Sequence, residues 1–481
     1  MKNSIYAARF RRPTTLSNVA ERTPEVHEAE WVAKLTPQEF QKRDDLVSLL
    51  VGGERIKGSL ADSCLWYGRY LQSKFHHHWH LLAPALVGLE DNVTPASGDL
   101  VIVYCFVIEV AKLLKTRKNL ALVEIVDELD NQQLLKPQMD EERAILNQIV
   151  FATLGWLSML YEAVPHPAAN KLEVVRTSTT SSGYRNSLNT RKYHSYMRNF
   201  DYIDFPFFEL LARFGELTPQ WKPHFANELG SLRQAEVISV KDVCFNTLQG
   251  LADLKIEWVT SLALHLEMDS SKKTLKLFQF PSFCRMMVVE NETHLLSRLL
   301  TDHATRLYED VRAPEVVTEQ FFKEILLTYR LIFGQDDRSY KAFSRMVPVW
   351  EEQCGRSSWE TTWACDPMLL TLCGKSATSD EARKIYDEID EHEPANCYNA
   401  HHEFPFFAKR LLELQEFIKH HQPQNLRALL NDRRDVAAWY TLWNNQLLII
   451  FATITILLMM LSLVLQAWQV MLARQQLQQL G

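Results

Sequence analysis

The sequence predicts a mainly α protein: a multi-helical body with minor strand content, followed by one C-terminal transmembrane helix. Three observations lead there. Glycine contributes only 15 of 481 residues, less than half its usual share of ~7%. Apolar residues recur along most of the chain at steps of three and four, which line one face of a helix. Leu447 to Leu465, LLIIFATITILLMMLSLVL, runs for nineteen residues without a charge. The remaining composition, 47% hydrophobic and 23% charged, is ordinary globular usage and excludes a wholly disordered or fibrous chain. A net charge of −7 argues against a nucleic-acid partner, which needs a basic face.

Taken in order, residues 1–30 read as a disordered basic tail, with Lys2, Arg9, Arg11 and Arg12 and no acid before Glu21. Residues 31–170 read as a first helical subdomain. Helical spacing covers Trp31 to Val51 and Leu60 to Leu82. Leu100 to Leu114 is nearly all apolar but too short to span a bilayer and broken by Glu109, so it reads as a buried core helix. Ile145 to Ala163 follows the acidic start Asp140, Glu141 and Glu142, which suits a helix N-terminus, and Pro165 ends it. Residues 171–200 read as a Ser/Thr-rich loop, because Arg176 to Arg198 carries five basic residues, no acid and no visible period. Such a loop suits phosphorylation or contact with anionic lipid.

Residues 201–440 read as a second helical subdomain with short strands. Two subdomains are expected because about 440 residues exceed the ~250–300 at which one core stops growing. Phe205 to Leu211 resumes the core. Val259, Leu262, Ala263 and Leu266 are spaced as a helical face. Lys273 to Phe280 alternates and reads as a strand closed by Pro281. Phe321, Ile325 and Tyr329 mark a helix ended by Gly334, and Phe406 to His420 marks another.

The span at 447–469 is the clearest feature. Nineteen apolar residues make a helix of ~28 Å at ~1.5 Å per residue, matching a hydrocarbon core of ~30 Å. Leu447, Leu448, Ile449, Ile450 and Phe451 open it and Leu465 closes it, with Trp443 before and Trp468 after, where headgroups favour aromatic rings. Arg427, Arg433 and Arg434 precede the span and only Arg474 follows it. The positive-inside rule then puts the bulk of the chain in the cytosol. With a short tail at 470–481, the anchor is expected to insert after translation. A single basic residue in that tail favours the endoplasmic reticulum or a later endomembrane over the mitochondrial outer membrane. Thr455, Ser462, Gln466 and Gln469 fall on one stripe that would suit self-association in lipid; the alternative is that the hydroxyls bond back to their own helix.

Chemistry is harder to place. Eight cysteines include no CxxC pair, so they read as reduced thiols. His76 and His80 stand at i,i+4 in a run of histidines, and His392, Cys397, His401 and His402, with Asp390 or Glu403, form a second cluster. The first has no carboxylate or thiol nearby to complete a metal site and reads as a surface or interfacial cluster; the second matches no zinc spacing and reads as a polar loop before Phe404 to Phe407. Gly374, Lys375 and Ser376 imitate the end of a phosphate-binding loop, but Leu369 stands where that motif needs glycine. No catalytic residue, metal or cofactor is assigned from the sequence.

Several stretches together carry a resemblance: FDYIDFP at 200–206, KIEWV at 255–259 with LHLE at 264–267, KLFQFPSFC at 276–284, YRLIFGQ at 329–335, DEHEPAN at 390–396, and NDRRD at 431–435 leading to Trp439 and Tyr440. The set resembles a group of uncharacterised filamentous-fungal proteins with a single C-terminal transmembrane helix. The resemblance implies the anchor and carries no catalytic role onto any residue. The expected function is interaction or scaffolding at a membrane, with a membrane-bound enzyme of unfamiliar site, or an accessory subunit of a membrane complex, as alternatives.

Overall fold

The computed structural model describes residues 35–51, 60–90, 92, 94–117, 120–136, 140–164, 171–178, 193–214, 217, 236–289, 314–345, 366–374, 380–389, 393–421 and 436–479. The basic N-terminal stretch, Asp390, His392, Arg427, Arg433 and Arg434 lie outside them. The described chain is mainly α-helical, as the glycine-poor, periodic sequence indicates.

The first helix, Pro37–Val51, starts on a capping box. The Thr36 N–H donates to Glu39 Oε2 at 2.7 Å, and the Glu39 N–H to Thr36 Oγ1 at 3.2 Å. The other Glu39 oxygen accepts the Gly98 N–H at 3.0 Å. One buried carboxylate thus joins this helix to the start of Asp99–Thr116, the expected core helix, whose apolar residues are buried on several faces. Gly98 reaches φ +97 there, a conformation that favours glycine.

The helix expected over Leu60–Leu82 is two helices, Ala61–His77 and Trp79–Ala85, with a break at His78. The break falls inside the histidine run and turns His78 inward. The helix expected to reach Ala163 is Asp140–Ser158 and stops at Met159, whose φ is +51. The Ser158 hydroxyl bonds back to Leu154 O at 2.7 Å. From there the chain is held from outside: Leu262 and Ala263 donate their N–H groups to Met159 O and Leu160 O at 2.8 and 3.0 Å.

Two readings of irregular or helical chain are corrected by pairing. The ends of the expected 171–200 loop are strands, β1 (Lys171–Ser178) and β2 (Tyr193–Asn199), paired antiparallel; Leu172 and Val174 alternate into the core. Residues 179–192, between them, lie outside the described part. The helical face expected from Val259 to Leu266 is instead the end of a strand and a 3-10 turn, Leu262–Leu264. Both bury apolar residues at the same spacing, so periodicity alone could not tell them apart.

After β3 (Val237–Ser239), β4 (Lys255–Val259) begins a small sheet. The expected strand β6 (Thr274–Phe278) lies parallel to β4 and antiparallel to β5 (Met268–Asp269). β3 pairs antiparallel with β7 (Cys397–Asn399) about a local two-fold. On one side the Val240 N–H donates to Asn396 O, on the other the Ala400 N–H donates to Glu236 O. The helix Pro314–Tyr329 continues into a π-helical turn, Arg330–Gly334, and Ala408–His420 follows Phe407.

Residues before and after the β1–β2 hairpin share one apolar core. Trp66 meets Phe280 at 4.6 Å between ring centroids, and Cys64 Sγ lies 3.9 Å from Met286 Sδ.

Candidate functional site

A catalytic site in this fold would lie among the polar residues inside the body. Thr328 Oγ1 stands 2.8 Å from His265 Nε2, the spacing of a nucleophile and its base. The imidazole is in the wrong form for that role. His265 Nδ1 accepts the Phe278 N–H at 3.1 Å, so the ring proton sits on Nε2 and is donated to Thr328, whose hydroxyl donates in turn to Ile325 O. Burial, with the Arg410 charge second, holds the imidazole well below its ordinary pKa. Both side chains are completely buried. The pair is a structural bridge.

Asp366 is a second buried group. Its carboxylate accepts the Ser282 N–H at 2.7 Å, the Ser282 hydroxyl at 2.6 Å and the Met368 N–H at 2.9 Å. It thereby caps Pro367–Cys373 and the first turn of Pro281–Val289 together. Burial raises its pKa to about 6, against the lowering effect of those hydrogen bonds. The aspartate followed by proline at the first helical position is a cap signature that the sequence did display. Glu324, also fully buried, accepts the N–H groups of Phe406 and Phe407. No sequence signal marked it.

A third group joins three segments. Lys74 Nζ lies 3.1 Å from Glu162 Oε1, and Thr260 Oγ1 donates to Glu162 Oε2 at 2.7 Å. Burial alone would raise the Glu162 pKa; the Lys74 ammonium and the Thr260 hydrogen bond outweigh it and hold the carboxyl below its usual value.

The histidine runs resolve differently from one another. His78 is buried and stacks on Trp156 at 4.9 Å, whereas His77 and His80 are exposed and His76 is half-buried. The reading of a surface cluster missed His78. In the second run His401 pairs with Glu236 at 2.7 Å, and the His402 N–H is capped by Asn399 Oδ1 at 3.1 Å. Cys397 is exposed at the strand pairing and Glu403 sits beside His402. Among the described residues, no three His, Cys, Asp or Glu side chains come together as a metal site would require. Gly374 follows the end of a helix, Pro367–Cys373, whereas a phosphate loop opens one.

The C-terminal helix, Val436–Gln479, is different in kind. It runs 44 residues without interruption, ~66 Å at ~1.5 Å per residue, and so carries on past both ends of the apolar stretch. The stretch Trp443–Gln476 is long and apolar enough to cross a membrane, and its most apolar part has no buried residue. It is the single such helix among the described residues. Leu447, Leu448, Ile449, Ile450, Phe451, Leu465, Trp443 and Trp468 are all exposed, most of them by about half or more. A core helix of this composition would be covered by its own protein; this one is not.

Trp443 and Trp468 are separated by 25 positions, ~37 Å along the axis, and the intervening turns leave the two rings within ~20° of the same face. Inside the span, Thr455 Oγ1 donates to Phe451 O at 2.8 Å and Thr453 Oγ1 to Ile450 O at 3.1 Å. The Thr455 hydroxyl hydrogen is therefore used within its own helix. Ser462, Gln466 and Gln469 are exposed along the same stripe.

Comparison of the chain with protein-family models, curated proteins and solved structures finds no match.

Proposed function

We propose that this is a single-pass, tail-anchored membrane protein whose helical body lies on the cytosolic face of an endomembrane and acts there in interaction or scaffolding. The observation that carries the reading is the uncovered apolar helix. Exposing that many large apolar side chains to water is strongly unfavourable, at ~25 cal/mol per Å², and a bilayer removes the cost. A helix also satisfies its own backbone, as lipid requires. The three arginines before the span, against Arg474 after it, support the cytosolic orientation. Anchoring confines the body to a surface and raises its effective concentration for partners there. The structural roles of His265, Asp366, Glu324 and Lys74 favour this over an enzyme. Self-association through Ser462, Gln466 and Gln469 fits the same reading, with less support from Thr455 than its position suggests.

The test is extraction and topology. Full-length protein should stay with membranes in alkaline carbonate, and a variant lacking residues 436–481 should not. Protease added to intact microsomes should remove the body, with no glycan at the two acceptor sequons, Asn92-Val93-Thr94 and Asn291-Glu292-Thr293. Release of the full-length chain by carbonate would refute the anchor; a protected, glycosylated body would reverse the orientation.

A further inference from the structure

We propose that the anchor is a gauge of bilayer thickness, selecting thin membranes of the kind found early in the secretory route over thick, sterol-rich ones. The proposal rests on the anchor reading above and adds a specificity to it.

Asn444, Asn445 and Gln446 stand directly before Leu447, and Gln466 stands directly after Leu465, with Gln469 three positions on. All five amide side chains are exposed on the same continuous helix. Continuity makes the limits rigid. The span cannot lengthen by unwinding, because extended chain would leave its backbone groups unpaired in hydrocarbon; the continuous helix advances ~1.5 Å per residue.

The nineteen residues between the amides therefore span ~28 Å. That is close to the ~27 Å hydrocarbon thickness of the endoplasmic reticulum membrane and short of the ~32–33 Å of the plasma membrane. Covering the extra ~4 Å takes three more residues. On the near side those are three consecutive amides. On the far side they begin with Gln466. Either extension moves at least one primary amide from the interface into hydrocarbon, which is unfavourable for a helix alone in the bilayer. A bilayer thinner than the span is met more easily, by tilting.

The tryptophans agree with the same position. Trp443 lies four residues before Leu447 and Trp468 three after Leu465, ~6 and ~4.5 Å beyond the apolar limits. Both depths fall within a headgroup layer.

The experiment is a competition. Full-length protein is reconstituted into equal amounts of two phosphatidylcholine vesicle populations, with monounsaturated 16-carbon and 22-carbon chains, carrying different dyes and separated by density. About tenfold more protein is expected in the thin vesicles. A variant combining Asn444→Leu, Asn445→Leu and Gln446→Leu extends the apolar stretch by three residues and should abolish that preference, because the longer span reaches across the thick vesicles and tilts into the thin ones. Equal partition of the unaltered protein, or a triple variant that still prefers thin vesicles, overturns the proposal while leaving the anchor in place. Protein that floats with neither population overturns the anchor reading itself.

Discussion

Replacing Asp366 with alanine should destabilise the body by an amount that depends on pH in a particular direction. The carboxylate is completely buried and accepts three hydrogen bonds, from two backbone N–H groups and the Ser282 hydroxyl. Asp366→Ala leaves those donors without their acceptor, at about 1–2 kcal/mol each, or about 3–6 kcal/mol in all. The wild-type group carries its own cost. Its pKa is about 6 in the fold against an ordinary 3.8, and that gap is worth about 3 kcal/mol. The folded state holds the proton more tightly, so the contribution of Asp366 to stability is fully present below pH ~4 and is partly lost as pH rises through ~6. Asp366→Ala should therefore cost about 3–6 kcal/mol at pH 4 and only about 0–3 kcal/mol at pH 7.5. Denaturant titration of the full-length protein in detergent, followed by tryptophan fluorescence at several pH values, measures the difference between variant and wild type. Other titrating groups are common to both and cancel. A penalty that is flat with pH, or that grows towards neutrality, would refute the burial argument.

Two further outcomes follow from the other buried groups. His265 has the opposite sign: its pKa is held well below 6.5, so its stabilising effect is complete above pH ~6.5 and fades as pH falls. His265→Gln should thus cost most near pH 7.5 and progressively less in acid, in the same titration. At the Lys74–Glu162 pair, removing the carboxylate leaves a buried ammonium without its partner. Glu162→Ala should cost about 2 kcal/mol, less than the ~3–5 of a fully buried pair because the Glu162 side chain is 35% exposed. Lys74→Met removes the buried charge and fills its space, so its thermal midpoint should fall by less than that of Glu162→Ala.

The legible part of the site was the part governed by local rules. A run of apolar residues free of charge needs no partner to be recognised, because lipid solvates any such helix in the same way. The tryptophans around it were visible for the same reason. The interior was not. The tautomer of His265 depends on the Phe278 N–H, thirteen residues away, and Glu324 is defined by two N–H groups more than eighty residues on. Nothing near those residues in the sequence points to their partners.

The sequence by itself determined the helical character of the chain, the core helix over Asp99–Thr116, the strand Thr274–Phe278 and the C-terminal apolar span, since each depends on periodicity or length. Tertiary structure decided the rest. It ended the helix at Ser158 by pairing the following residues with Leu262 and Ala263, turned Val259 and Leu262 from an expected helix into a strand end and a tight turn, and paired the flanks of the basic loop as a hairpin. It also left the last helix bare while, among the described residues, the core helix Asp99–Thr116 was covered. Hydrogen-bond partners and burial are properties of distant segments meeting, and a one-dimensional pattern does not contain them.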